Sequence, residues 1–175
     1  MVWVVVVALL ITKILRKREL KMKNRIEFDV IGKPYGQKRP RAFRRGKFLG
    51  IYAPKENVEY ATKVVNAFLK ASGGLKIKKV DKEVITEYRY QDVPMVIEIQ
   101  AFFHRPKLTK KEKALNLPKH MFPTKKPDGD NIAKAILDSL NAVAYHDDSY
   151  VTELFVSKYY TDGEERVNVV IYEKQ

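Results

Sequence analysis

The segment from Lys125 to Val151, KKPDGDNIAKAILDSLNAVAYHDDSYV, constrains the architecture more than any other stretch. Ile132, Ala133, Ile136, Leu137 and Leu140 recur at helical spacing, so a helix here has one apolar stripe that needs a surface to pack on. Asp130, Lys134, Asp138 and Asn141 form a polar stripe beside it. The spacing predicts a helix over 129–142, about 20 Å long. Acids stand at both of its ends: Asp128 and Asp130 at the start, Asp147 and Asp148 after a short return. A strand-like run follows at once, and if the helix packs on the sheet that this strand joins, the acids at its two ends can converge.

Other segments supply that sheet. Ile26, Phe28 and Val30 alternate with charged neighbours over 25–33, a strand with one buried face. Residues 32–47, GKPYGQKRPRAFRRGK, read as a turn-rich loop, and Phe48 to Tyr52 as a short strand. A second helix is predicted from Pro54 to Ala71, with Val58, Ala61, Val65, Phe68 and Leu69 on its apolar side and Gly73-Gly74 as its stop. Residues 75–93 read as a charged excursion with short elements of its own. Val93 to Arg105 reads as a long central strand, and Thr109 with Glu112 forms a capping box for a short helix to Leu115. A Pro-punctuated loop leads to Pro127. Two strands close the chain, over 150–160 and 167–172, separated by the turn signal TDGEE. The order β-α-β-α-β-β predicts a single α+β domain, two main helices packed on one mixed or antiparallel sheet. Such a sheet keeps one face free, which suits a homodimer.

The charge narrows the partner. Thirty-four Lys and Arg against 21 Asp and Glu leave +13 on 175 residues, which points to a polyanion, nucleic acid before membrane. With no cysteine, disulfides, thiolate catalysis and Cys-ligated zinc are excluded. The apolar run Val2 to Ile11 is ten residues long, well short of the roughly 20 that span a bilayer. Its basic residues follow the run, the reverse of a secretory signal. Either it is a short anchor with a basic flank, or residues 1–21 are an extension outside the fold and Met22 is the native start. The second reading is favoured, giving a domain over 22–175 and no membrane association. Residues 1–21 carry five basic side chains and one acid, so without them the charge falls from +13 to +9 and the polyanion argument stands.

The acids themselves admit two readings. Asp is favoured at helix starts, and a carboxylate in the first turn complements the helix dipole. Lys134, four residues after Asp130, is an ordinary helix pair, with Asp138 as a further partner. Against this, two acidic pairs brought together by a returning helix would repel each other, and carboxylate oxygens are what Mg²⁺ and Mn²⁺ prefer. In a basic protein that approaches DNA, clustered acids without a cation would weaken binding.

The segment closely resembles the signature of the RusA family of Holliday-junction resolvases of bacteria and their phages, K/R-P-D-x-D-N-x-x-K-A-x-x-D-x-L followed by a D-D pair before a strand. Upstream, GKPYGQKRPRA resembles the family's G-K-P-x-x-K-x-R-P-R, with Gln37 in the slot of its first lysine and Lys38 after it. The resemblance covers roughly residues 25–172. It implies that Asp128, Asp130 and Asp148 are the catalytic, metal-binding aspartates, with Asp147 as an assisting ligand or a turn residue. Lys134 matches the family's essential lysine. It further implies Mg²⁺, with Mn²⁺ as a substitute and no small-molecule cofactor. The implied partner is branched DNA, engaged by a homodimer in the cytoplasm.

Lys33, Lys38, Arg39, Arg41, Arg44, Arg45 and Lys47, with Lys125 and Lys126 beside the acids, are the expected phosphate contacts. Tyr35 and Phe43 either pack on the domain, the favoured reading, or stack on a branch point. His146 is read as a loop residue without a role. The leading expectation is a junction-resolving endonuclease. The alternatives are a less selective nuclease for flaps or forks, and a branched-DNA-binding protein without catalysis.

Overall fold

The computed structural model describes residues 22–80, 83–107, 109–115 and 122–175; the expectations for residues 1–21 lie outside them. Among the described residues, eight strands and three α-helices follow in the order β1 (Lys23–Ile31), β2 (Arg41–Arg45), β3 (Phe48–Tyr52), α1 (Lys55–Ser72), β4 (Lys76–Val80), β5 (Glu83–Glu87), β6 (Met95–His104), α2 (Lys110–Leu115), α3 (Gly129–Leu140), β7 (Val151–Thr161) and β8 (Arg166–Glu173). The main sheet is mixed, in the order β1-β8-β6-β7, with β6 and β7 parallel and the other pairs antiparallel.

Alternation decides which face of this sheet is covered. Ile26, Phe28 and Val30 of β1, Ile97, Ile99, Ala101 and Phe103 of β6, and Val167, Val169 and Ile171 of β8 are all buried in one core. That core is closed by α1 and α3, which pack on each other and on the edge strands β1 and β7. β6 is central because it is the most apolar strand: Met95, Val96 and Ile97 are buried in succession. It lies between β7 and β8, so the two C-terminal strands share a turn without pairing. The α+β class, the single domain and the two main helices agree with the pattern of the sequence.

Three local expectations need correction. Residues 41–45, read as loop, are strand β2, paired with β3 in a separate ribbon. Basic side chains dominate this stretch, and only pairing across the ribbon makes it a strand. The buried stripe of α1 is Asn57, Tyr60, Val64 and Phe68, and Val58 is exposed. The helix is turned because Asn57 faces inward to bond the loop before β2, as described below. The predicted end of the motif helix moves from 142 to Leu140, since Ala142 takes a left-handed backbone (φ 56°) that starts the return. Among the described residues, no helix is long and apolar enough to cross a membrane.

Candidate active site

Two anchors bring the second acidic pair back from α3. Tyr145 is fully buried and its hydroxyl donates to the Leu137 carbonyl, 3.2 Å away. Tyr90, equally buried, donates its backbone N–H to the Ala144 carbonyl and its hydroxyl to the carbonyls of Asn24 and Ile171. The return is thereby tied both to the helix it leaves and to the sheet. Asp147 and Asp148 then open a short 3-10 turn (Asp148–Tyr150) at the start of β7.

The four acids have different surroundings. Asp147 accepts from the Ser149 N–H at 2.8 Å, and the Ser149 hydroxyl first, with this N–H second, holds its exposed carboxyl below the usual range. It is a turn-capping residue. Asp128 has the extended backbone of a helix cap (φ −73°, ψ 152°), yet its side chain makes no capping bond. Helix punctuation therefore describes Asp147 and does not describe the Asp128 carboxylate. Asp130 lies exposed in the first turn of α3, with the Asn131 amide at 3.4 Å. Asp148 acts electrostatically on Asp138 and Tyr145.

Asp138 belongs with this group. Asp138 is exposed, yet partial desolvation by its neighbours holds its carboxyl above the usual range; Lys134 opposes that shift, Asp148 adds to it, and a hydrogen bond from Gln37 opposes it. Gln37 donates from Nε2 to the Asp138 Oδ2 at 3.1 Å and from its backbone N–H to the Asn131 carbonyl at 2.9 Å. Those acceptors lie seven residues apart, two turns of α3, with Lys134 between them on the helix. Lys134 is exposed, and among the described residues it forms no ion pair within 4 Å, although its charge still acts on Asp138 one turn along the helix.

The loop that carries Gln37 is held from the other side by α1. The Tyr35 hydroxyl donates to Asn57 Oδ1 at 2.5 Å, the Lys38 N–H donates to the same oxygen, and Asn57 Nδ2 donates to the Lys38 carbonyl. Tyr35 also packs on Tyr60, with ring centroids 5.1 Å apart, as the packing reading expects. Gly36 makes the approach to α3 possible, since a Cβ there would stand 2.6 Å from the Pro127 Cβ. The result is a cleft of about 590 Å³ lined by Lys33, Gln37, Lys38, Lys126, Asp128 and Asn131, among others. Lys38 carries an exposed ion pair to Glu56 at 2.7 Å. Lys33, Lys125 and Lys126 are exposed beside this cleft or on the strand of chain that enters it. Arg41, Arg44, Arg45 and Lys47 lie on the β2–β3 ribbon, with Arg39 on the approach to it.

One positioning residue was missed by the sequence reading. The Lys158 ammonium donates to the carbonyls of Lys125 at 2.7 Å and Pro127 at 2.9 Å, and lies 5.6 Å from the Phe103 ring centroid. It thus pins the chain immediately before Asp128 to β7. Its signal was present: Lys158 lies two residues from Val156 and from Tyr160, on the strand face that packs on the core. His146 meets Tyr88 edge-on, a packing contact consistent with a loop histidine.

The donors suit a hard divalent cation: Asp128, Asp130 and Asp148 are carboxylates without an ion pair among the described residues. No three Asp, Glu or His side chains among those residues are drawn into one coordination sphere. The chemistry of the donor set fits; the chelate is not closed.

A family model described as Endodeoxyribonuclease RusA matches residues 32–172, nearly the whole described fold. The chain belongs to the RusA family. It is also 32% identical over 154 residues to the uncharacterized protein YqaN of Bacillus subtilis (strain 168), covering 85% of this chain and 96% of that protein. Family membership makes this chain a RusA-type endodeoxyribonuclease, a nuclease.

Proposed function

We propose that this RusA-family protein is a Mg²⁺-dependent endonuclease that resolves four-way DNA junctions, with Mn²⁺ as an alternative ion. The observation that carries the reading is Lys134. It is a free, exposed ammonium one turn from Asp130, on the helix face that also bears Asp138 and beside a cleft lined by Lys33, Lys38 and Lys126.

Asp128, Asp130 and Asp148 are the residues that would hold the ion, with Asp147 committed to its turn. A bound divalent ion supplies Lewis acidity at the phosphate and a more acidic water. Water attacks phosphorus in line with the 3′ oxygen; the P–O3′ bond breaks, leaving a 3′ hydroxyl and a 5′ phosphate. Lys134 stabilises the charge that builds on the non-bridging oxygens, an effect that needs a cation placed beforehand. Gln37 donates to Asp138 beside Lys134, and Lys158 holds the backbone before Asp128. The lysines of the cleft and the arginines of the ribbon contact phosphates without reading sequence.

A four-way junction presents two strands to cut, so the reading requires two sites. The uncovered sheet face is the surface proposed for a second copy. There Phe102 and Tyr159 stack at 5.6 Å, Arg166 lies 4.3 Å over Phe102, and Phe155 is half exposed.

Incubation of the protein with a synthetic four-way junction and Mg²⁺ tests the proposal. Symmetric paired nicks by the wild type, absent for Asp130→Asn and absent on linear duplex, are expected. Binding without cutting removes the catalytic claim, and equal cutting of duplex removes the selectivity.

A further inference from the structure

The β2–β3 ribbon carries a surface that the metal-site chemistry does not use. Arg41 pairs with Tyr52, Phe43 with Gly50 and Arg45 with Phe48. Directly opposed residues share a face and alternate positions return to it, so all six lie on one side of the ribbon. The Phe43 ring centroid is 6.1 Å from that of Phe48 and 6.1 Å from that of Tyr52. Gly50 makes room for this arrangement, since a Cβ there would stand 2.5 Å from the Phe43 ring. Three rings thus form one patch between two guanidinium groups.

This patch is not covered by the domain. Phe43, Phe48 and Tyr52 are 40%, 64% and 46% exposed, and every residue from Arg41 to Leu49 is exposed. The expectation that Phe43 packs on the core does not hold. Clustered rings in water are unfavourable, and such a cluster marks a surface that a partner covers. Charge selects the partner: no acid occurs between Asp29 and Glu56, so the ribbon is purely cationic. A second copy of the ribbon would bring arginines against arginines. Bases on a phosphate backbone satisfy both features, with rings to stack on and anions to meet the guanidinium groups.

We propose that this aromatic and basic face stacks on unpaired nucleobases where DNA strands separate or exchange. The inference deepens the branched-DNA reading and rests on it. In duplex DNA the base faces are already stacked on each other, so the patch favours places where pairing is broken.

Binding is measured by fluorescence anisotropy without divalent ions, on a single strand, a four-way junction and a fully paired duplex. For Phe48→Ala we expect affinity for the single strand and the junction to fall about tenfold. Duplex affinity and the salt dependence stay unchanged, because no charge is lost. Phe48→Trp should retain binding. A 2-aminopurine base in the single strand should be quenched by the wild type and less so by Phe48→Ala. Equal loss on all three DNAs, or no loss on any, overturns the inference. So does a fall in particle mass by light scattering for Phe48→Ala, which would make the ribbon a contact between copies. Junction cleavage by the wild type with Mg²⁺ separates the two readings. Cleavage together with an inert Phe48 removes the stacking face alone. Absent cleavage with base-selective binding removes the nuclease reading and keeps the stacking face.

Discussion

The ammonium of Lys158 lies within hydrogen-bonding distance of two loop carbonyls, those of Lys125 at 2.7 Å and Pro127 at 2.9 Å. One side chain on edge strand β7 thereby sets where Asp128 enters α3. Loops usually carry a site's reactive groups, and here a strand fixes the loop.

Replacing that lysine tests the tether. Lys158→Met keeps the aliphatic stem on Phe103 and removes both charged hydrogen bonds. We expect a loss of about 1–3 kcal/mol in stability by urea unfolding. Cleavage should fall through kcat with KM little changed, because the phosphate-binding lysines remain in place.

Gly36 is expected to tolerate no side chain. A Cβ at that position collides with Pro127 and also presses within 3.3 Å of Asn131. Gly36→Ala should push the loop of Tyr35 and Gln37 off α3. The measurement is junction affinity without metal, expected to weaken, alongside a thermal melt that shifts only a few degrees.

Gln37 stands in the slot of the family's first lysine and bonds Asp138. Gln37→Glu places a carboxylate against Asp138 in a site that already holds Asp148, and cleavage should drop at least tenfold. Gln37→Lys should retain activity, since an ammonium can take over the bond to Asp138. Parallel kcat and KM measurements on the two variants decide this, and equal damage by both would contradict it.

The open sheet face is expected to bury Phe155 against a second copy. Phe155→Glu, half exposed in the single chain, should leave the fold intact by circular dichroism and convert a dimer to a monomer by light scattering. Paired nicking of junctions should be lost with it.

Alkaline pH should destabilise the protein more than its surface charge alone predicts. Burial pushes the Tyr60 hydroxyl up to about 12, and those of Tyr90 and Tyr145 higher still. In the unfolded chain these groups ionise near 10. Their contribution is complete below pH 10 and is lost as pH rises through the folded values, since the unfolded state releases its protons first. For Tyr60 this amounts to about 3 kcal/mol. Urea melts at pH 8 and pH 11 should show the decline, and substitution of Tyr60 by Phe should reduce it.

The pattern of apolar residues made much of this molecule legible. Ile26, Phe28 and Val30 announced a one-faced strand, Val93 to Arg105 the central one, and Ile132 to Leu140 the helix that covers them. These are local periodicities, and burial of one face leaves little choice of partner layer. Basic residues 41–45 gave no such signal. Their strand exists only through pairing with Phe48 to Tyr52, and hydrogen bonds across a ribbon leave no mark on hydropathy.

At the site the division is similar. The types and spacing of Asp128, Asp130, Lys134 and Asp148 are properties of the chain, and they limit the chemistry to carboxylates and one cation on a helix. Folding bound Asp147 to Ser149 and set Gln37, 101 residues away, against Asp138. It also placed Lys158 under the loop before Asp128 and left Phe43 in solvent. Which groups become neighbours depends on how two helices and a sheet close over one core, and residues distant in sequence meet only after that packing is complete.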